Sequence, residues 1–185
     1  MINRRLATGA AGVAIIAAGG FAAVGASGQA PDTAVVKQKF SLEMKPNRYV
    51  KDNMRFDKDV YTVKSGGTLK LVLNQPQEGP HTVSLVKKRD LPKTAIEAFE
   101  GCKVCNVLGK AHGADPNSDE PPKFPFVENG KGQKSPSNFD RPGDSALTGP
   151  KKGSSVSMPV TAKPGSTRYM LCIIHPWMQA KLAVK

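Results

Sequence analysis

The chain is poor in the residues on which many metalloproteins and disulfide-rich proteins depend. Its 185 residues include only three histidines and three cysteines. Three imidazoles cannot build a metal site that requires four or more, and three cysteines cannot build a disulfide-dense scaffold. The sequence has no self-similar period, which excludes an internal repeat array. The length then fits one domain of ordinary size.

The rest of the composition is typical of a loop-rich globular protein. Hydrophobic residues make up 39% of the chain and charged residues 23%, with 18 glycines and 15 prolines. Lys and Arg number 27 against 15 Asp and Glu, which gives a formal charge of +12. This excess fits either a solvated, soluble surface or the binding of an acidic partner or an anionic envelope surface. No interleaving of aromatic and basic residues indicates nucleic acid, so we predict no nucleic-acid ligand.

Residues 1–29 have the layout of an export signal. The basic pair Arg4-Arg5 precedes an uncharged Ala- and Gly-rich run over residues 6–24, and small residues around Ala26 form a cleavage zone. We therefore predict a periplasmic or extracellular protein. The alternative is an uncleaved N-terminal anchor associated with the membrane, because the run is close to the minimum length of a bilayer span.

Residues 30–185 are predicted to form one mainly β domain. Short runs of alternating apolar and polar residues are separated by Gly- and Pro-containing turns, a pattern typical of a β-sandwich. The predicted strands cover residues 35–42, 60–63, 68–73, 81–86, 155–161, 168–171 and 181–184.

Residues 87–153 interrupt this pattern, and we interpret them as one insertion between strands. Apolar residues from Leu91 to Cys105 recur near helical spacing, which predicts one helix from about Pro92 to about His112. Residues 114–153 are rich in Pro, Gly, Ser and Lys, which predicts a long loop.

Three residues of metal-binding types follow the predicted strand at 168–171, spaced three residues apart. Cys172, His175 and Met178 can all turn toward one point if a tight loop carries them. Thiolate, imidazole and thioether together suit copper far better than zinc or calcium. A trigonal copper site needs one more imidazole, which His81 supplies at the start of another predicted strand. Each residue alone is typical of core packing, and only the combination predicts a site for one copper ion.

These residues resemble the cupredoxin family, which includes plastocyanin, azurin and amicyanin. The Cys-x-x-His-Pro-x-Met motif at 172–178 is most similar to the short loop of amicyanin, and the segment around His81 resembles the family's first-ligand segment. The resemblance covers roughly residues 54–86 and 154–185. Many members have Asn directly after the first histidine, whereas this chain has Thr82.

The resemblance implies a Greek-key β-sandwich holding one type 1 (blue) copper ion. The implied ligands are His81, Cys172 and His175, with Met178 as the weak axial ligand. Pro176 and Trp177 would either pack the ligand loop or form an apolar rim around His175.

A blue copper protein of this kind would carry single electrons between redox proteins outside the cytoplasm. We expect a monomer whose basic surface meets an acidic docking surface on its partners. The alternative is a copper storage or delivery module. We expect no enzymatic activity, because only His112 remains after His81 and His175 are assigned, and one imidazole cannot complete a catalytic copper centre.

Cys102 and Cys105 form a C-x-x-C motif with three interpretations. A disulfide is favoured, because the predicted compartment is oxidising and copper accounts for the third cysteine. The alternatives are a metal site completed by His112 and Asp115, and a redox-active dithiol. Haem attachment is excluded because Asn106 follows the motif where a histidine is required.

Overall fold

We describe the fold from a computed structural model, which covers residues 30–185 apart from residues 116, 119 and 137. The predicted export signal at residues 1–29 lies outside the described residues. Within the described part of the chain, every helix is too short or too polar to cross a bilayer.

Short strands dominate the described residues. In chain order they are β1 Thr33–Val36, β2 Gln38–Lys39, β3 Leu42–Lys45, β4 Tyr49–Asp52, β5 Arg55–Phe56, β6 Val60–Val63, β7 Thr68–Val72, β8 Thr82–Val86, β9 Phe126–Glu128, β10 Lys131–Gln133, β11 Ser145–Leu147, β12 Ser155–Pro159, β13 Thr167–Leu171 and β14 Gln179–Val184. The mainly β class predicted from the sequence is confirmed.

Two sheets face each other across one apolar core. The smaller has the order β1-β7-β12, and the larger has the order β10-β9-β11-β8-β13-β14-β6. Alternate side chains of both sheets enter one buried cluster, including Leu69 and Leu71 from β7, Val83 and Leu85 from β8, and Met170 from β13. Because β8 and β13 are hydrogen-bonded neighbours, the segments that carry His81 and Cys172 meet at one end of the sandwich.

The predicted single helix is corrected to two short ones, α1 Ala95–Phe99 and α2 Lys103–Ala111. The Thr94 side chain caps α1 by accepting a hydrogen bond from the Glu97 N–H at 3.1 Å. Gly101 lies between the helices, and glycine disfavours a helix interior by about 1 kcal/mol relative to alanine. The apolar spacing continues across this break, so periodicity alone could not locate it.

The predicted loop at 114–153 is also corrected, because β9, β10 and β11 lie within it and extend the larger sheet beyond β8. Three-residue strands are too short to show an alternating pattern, and β11 is buried on both faces. A turn at Asn129 and Gly130, both with positive φ, joins β9 to β10. Asn-Gly is a recognisable hairpin signal that could have located this pair.

Candidate metal centre

The structure brings His81, Cys172 and His175 together at the end of the sandwich. The Cys172 Sγ atom lies 3.8 Å from His81 Nδ1 and 3.7 Å from His175 Nδ1. The donor atoms of the three side chains all lie within 4.8 Å of one another. His81 and Cys172 are fully buried, and His175 is only 7% exposed. The predicted meeting of the two distant segments is therefore present in the fold.

A tight turn closes the segment from Cys172 to Met178. The Cys172 N–H donates to the Met178 carbonyl at 3.0 Å, and the Met178 N–H donates to the His175 carbonyl at 2.8 Å. Met178 is fully buried in the same apolar cluster as Cys172. The fold thus holds Met178 next to the cluster of donors, and its role as axial ligand stays a prediction.

Burial sets the protonation of the donors in the absence of a cation. Burial raises the pKa of the Cys172 thiol, while hydrogen bonds from the Thr82, His175 and Ile174 backbones act in the opposite direction. Burial lowers the pKa of His81 to about 4, and charge on His175 acts in the same direction. The histidine is therefore a neutral donor near pH 7. A cation at the cluster would instead favour the deprotonated form of Cys172, because a metal stabilises the thiolate.

Thr82 connects the segments that carry His81 and Cys172. Its backbone N–H donates to Cys172 Sγ at 3.4 Å, and its Oγ1 accepts a hydrogen bond from the Ile173 N–H at 2.8 Å. The Thr82 hydroxyl group therefore holds Ile173, at the start of the segment from Cys172 to Met178, against β8.

Thr148 supports His81 in a way that the sequence did not indicate. The His81 N–H donates to Thr148 Oγ1 at 3.1 Å, and the Thr148 N–H donates to the His81 carbonyl at 3.0 Å. Thr148 follows β11, in the segment that was predicted to be loop. No local sequence pattern marks it, because only the pairing of β11 with β8 places it beside His81.

The C-x-x-C motif forms a disulfide between Cys102 and Cys105, which confirms the favoured interpretation. The alternative metal site with His112 and Asp115 is corrected. Both ring nitrogens of His112 already have partners, with Nδ1 2.7 Å from the Phe124 carbonyl and Nε2 2.8 Å from Ser145 Oγ.

Replacing Cys102 and Cys105 together with alanine should lower the free energy of unfolding and leave the metal centre intact. A disulfide contributes typically about 2–4 kcal/mol, and we expect the lower end because the closed loop is short. Denaturant unfolding of the metal-free protein measures this difference. As a control, a thiol reductant should destabilise the unmodified protein and have no effect on the variant.

Isolated methionines that could mark a labile metal site contribute mainly to the core. Met54, Met158 and Met170 are buried in the apolar cluster between the sheets. Met44 does not join this core and is 66% exposed on the β3–β4 hairpin. The reason is that this hairpin forms a separate two-stranded sheet, which a single sequence run could not reveal.

Trp177 links the donor cluster to an open groove. Its ring lies edge-on to His175 at a centroid distance of 5.4 Å, and 4.9 Å from the ring of Phe99 on α1. The groove has a volume of about 1060 Å³ and lies between the β3–β4 hairpin and α1. Phe99 is 71% exposed, whereas His175 is nearly covered.

No protein-family model and no curated protein matches the sequence. Structure comparison finds auracyanin from Roseiflexus castenholzii at 18% identity and a TM-score of 0.40, covering 84% of this chain and 98% of that one. Auracyanin A, a "blue" copper protein from Chloroflexus aurantiacus, aligns at 20% identity over 83% of this chain and 98% of its own, with a TM-score of 0.40. A purple cupredoxin from Nitrosopumilus maritimus aligns at 11% identity over 82% of this chain and 99% of its own, also with a TM-score of 0.40.

The chain is similar to cupredoxins. This is the family that the motif at 172–178 resembles. In the described residues, the cluster that could hold a metal ion is formed by His81, Cys172 and His175.

Proposed function

We propose that this protein is a type 1 copper protein that carries single electrons between redox partners outside the cytoplasm. The observation that supports it is the buried cluster of His81 Nδ1, Cys172 Sγ and His175 Nδ1. One soft sulfur donor with two imidazoles, and without a carboxylate in the cluster, is the donor set that suits copper. We propose Met178 as the weak axial ligand.

The rigidity of the donors favours electron transfer over the other roles. Strand pairing, the closed turn from Cys172 to Met178, and hydrogen bonds accepted by the Thr82 and Thr148 hydroxyl groups hold the donors in place. Bound copper would supply a one-electron couple, and a fixed donor set limits the rearrangement between its two oxidation states. The deep burial of all three donors also opposes ready release of a metal, so storage or delivery is the less favoured role.

The absorption and EPR spectra of the copper-loaded protein test this proposal. We expect an intense blue band that bleaches reversibly when a mild reductant is added. Colourless Cu(I) that passes readily to a competing chelator would instead support delivery. A protein that binds no copper would refute both functions.

We propose that partners with an acidic docking surface meet the protein at the groove beside Trp177. Lys51 and Lys93 line this groove, and neither forms an ion pair with the described residues. The acidic side chains there are partly engaged, since Glu43 accepts a hydrogen bond from Tyr49 and Asp52 accepts one from the Met54 N–H. The chain also stays net basic without Arg4 and Arg5 of the proposed signal, which favours an anionic partner.

Electron transfer to the anionic oxidant ferricyanide tests the position of this surface. Replacing Lys51 and Lys93 together with glutamine should slow oxidation of the reduced protein at low salt, by roughly severalfold, and weaken its dependence on salt. The return of the blue band, followed by stopped flow, gives the rate. Lys163 and Lys185 are matched controls, because they lie near the start of β13, at the opposite end from Cys172. An equal effect of the control pair would contradict docking at the groove.

We also propose that residues 1–29 direct export and that residues 30–185 form the functional domain. Sequencing the N-terminus of the protein isolated from its native host tests this, with cleavage near Ala26 as the expected result.

A further inference from the structure

We infer that electrons pass between the metal centre and a partner through the side chains of Trp177 and Phe99. This inference rests on the proposed copper function and adds the route that an electron takes to the surface. Neither ring is oxidised or reduced along the way, because the rings only supply overlapping orbitals across which the electron transfers. Phe99 lies on α1, outside the two segments that carry the donors.

The donor side chains offer a partner almost no surface. His81, Cys172 and Met178 are fully buried, and His175 is only 7% exposed. The rate of electron transfer falls steeply as the distance between donor and acceptor grows, and it falls faster across empty space than across packed atoms. The side chains that connect His175 with the surface therefore determine where an electron can leave the protein.

Two aromatic rings connect His175 with the exposed surface. The Trp177 ring meets the His175 ring edge-on, with an interplanar angle of 78° and a centroid distance of 5.4 Å. The Phe99 ring lies 4.9 Å from the Trp177 ring at an interplanar angle of 34°. Both distances are within the range of packed aromatic pairs, about 4.5–7 Å. Phe99 is 71% exposed, so this row of ring contacts ends at the surface.

Packing and hydrogen bonds hold the two rings in this arrangement. Trp177 packs against the apolar core between the sheets. The side-chain amide of Gln179 donates to the Pro92 carbonyl at 2.8 Å and to the Pro176 carbonyl at 3.3 Å. This amide therefore ties the loop that carries Trp177 to the segment that leads into α1, the helix that ends at Phe99.

The surroundings of Phe99 suit close contact with a partner. Ala95 and Ala98, on the same helix, also line the groove and carry no charge. A partner can therefore touch Phe99 at this part of the groove without removing water from an ionised group, which would be costly. Lys51 and Lys93 line the same groove and attract an anionic partner.

Electron self-exchange between copies of this protein tests the route. A copy loaded with Cu(I) gives one electron to a copy loaded with Cu(II), no bond forms or breaks, and no proton moves. Reactants and products are the same species, so the reduction potential of a variant does not alter the driving force. Copies repel one another because each is basic, so the measurement is made at high salt, which screens this repulsion. Broadening of the NMR signals of the Cu(I) protein on addition of the Cu(II) protein gives the rate.

Replacing Phe99 with alanine should slow self-exchange severalfold. The substitution removes the exposed ring and leaves a gap above Trp177, and a second folded copy is too large to fill that gap. Alanine favours a helix, so we expect α1 to remain intact. Phe99→Tyr retains the ring and should keep a rate close to that of the unmodified protein.

Val107→Ala is the matched control, because it also truncates an exposed apolar side chain on a helix. Val107 is 61% exposed on α2 and lies outside the set of residues that line the groove. This variant should leave the rate of self-exchange unchanged.

Fluorescence of the metal-free protein gives a second measurement, which does not depend on copper. Trp177 is the single tryptophan of the chain, so the indole emission reports on this ring alone. Phe99→Ala should make the emission more sensitive to quenching by acrylamide, because it uncovers the indole, whereas Val107→Ala should not. Unchanged quenching in Phe99→Ala would mean that Phe99 does not cover Trp177 in solution, and it would overturn the inference.

The self-exchange results separate the route from the function on which it rests. An unchanged or faster rate in Phe99→Ala, with the blue band intact, would overturn the inference and leave the copper function standing. So would an equal slowing in Val107→Ala. Absence of the blue band from the unmodified protein would refute the copper function, and the inference with it.

Discussion

Replacing Cys172 with serine should abolish the intense blue band of the copper-loaded protein completely. The band requires a copper–thiolate bond, and Cys172 is the one free cysteine among the described residues. The other two cysteines form the Cys102–Cys105 disulfide. Because serine is close to cysteine in size, we expect the sandwich to fold and the two histidines to remain able to bind copper weakly.

Absorption and EPR spectra recorded with equal amounts of bound copper measure this effect. Far-ultraviolet circular dichroism verifies that the variant retains its sheet structure. The Cys102→Ala/Cys105→Ala protein is the matched control, since it loses two sulfur atoms elsewhere and should keep the band. A band retained in Cys172→Ser would refute the thiolate assignment and the function built on it.

Replacing Met178 with leucine should preserve copper binding and raise the reduction potential. Met178 is fully buried, and leucine fills a similar volume, so we expect a stability cost below about 1.5 kcal/mol. The thioether is a weak donor that stabilises Cu(II) relative to Cu(I). Its removal therefore favours the reduced state, in keeping with the role of the axial ligand in setting the potential.

Redox titration measures the potential, and Met158→Leu is its matched control. Met158 is buried in the same apolar cluster, but it lies on β12 and outside the ligand loop. The control should leave the potential unchanged. A lowered potential in Met178→Leu, or an equal rise in Met158→Leu, would count against Met178 as the axial ligand.

The strands that carry the site could be predicted because their patterns are local. Residues 60–63 are β-branched or aromatic, and residues 68–72 alternate between apolar and polar side chains. Both segments form strands as expected. The motif from Cys172 to Met178 is also local, since a spacing of three residues within one tight turn limits where the side chains can point. The combination of thiolate, imidazole and thioether donors is what predicts copper rather than zinc or calcium.

The insertion at 87–153 was predicted less well, for two physical reasons. The helical conformation breaks near Gly101, between α1 and α2, although the apolar spacing in the sequence continues across this break. The strands β9, β10 and β11 are three residues each. The hairpin of β9 and β10 joins the sheet only through β11, which pairs with strands distant from it in sequence. Such strands are stabilised by the sheet that they join, so their own residues carry little signal.

The sequence by itself determined the β-rich class, the C-x-x-C pair and the set of candidate metal donors. Only the tertiary structure decided that His81 meets Cys172, since 91 residues separate them and pairing of β8 with β13 joins their segments. It alone placed the hydroxyl groups of Thr148 and Thr82 against the backbone N–H groups of His81 and Ile173. The physical reason is that hydroxyl groups are common along any chain. The role of each hydroxyl group depends on which hydrogen-bond donors and acceptors the fold places beside it once water is excluded.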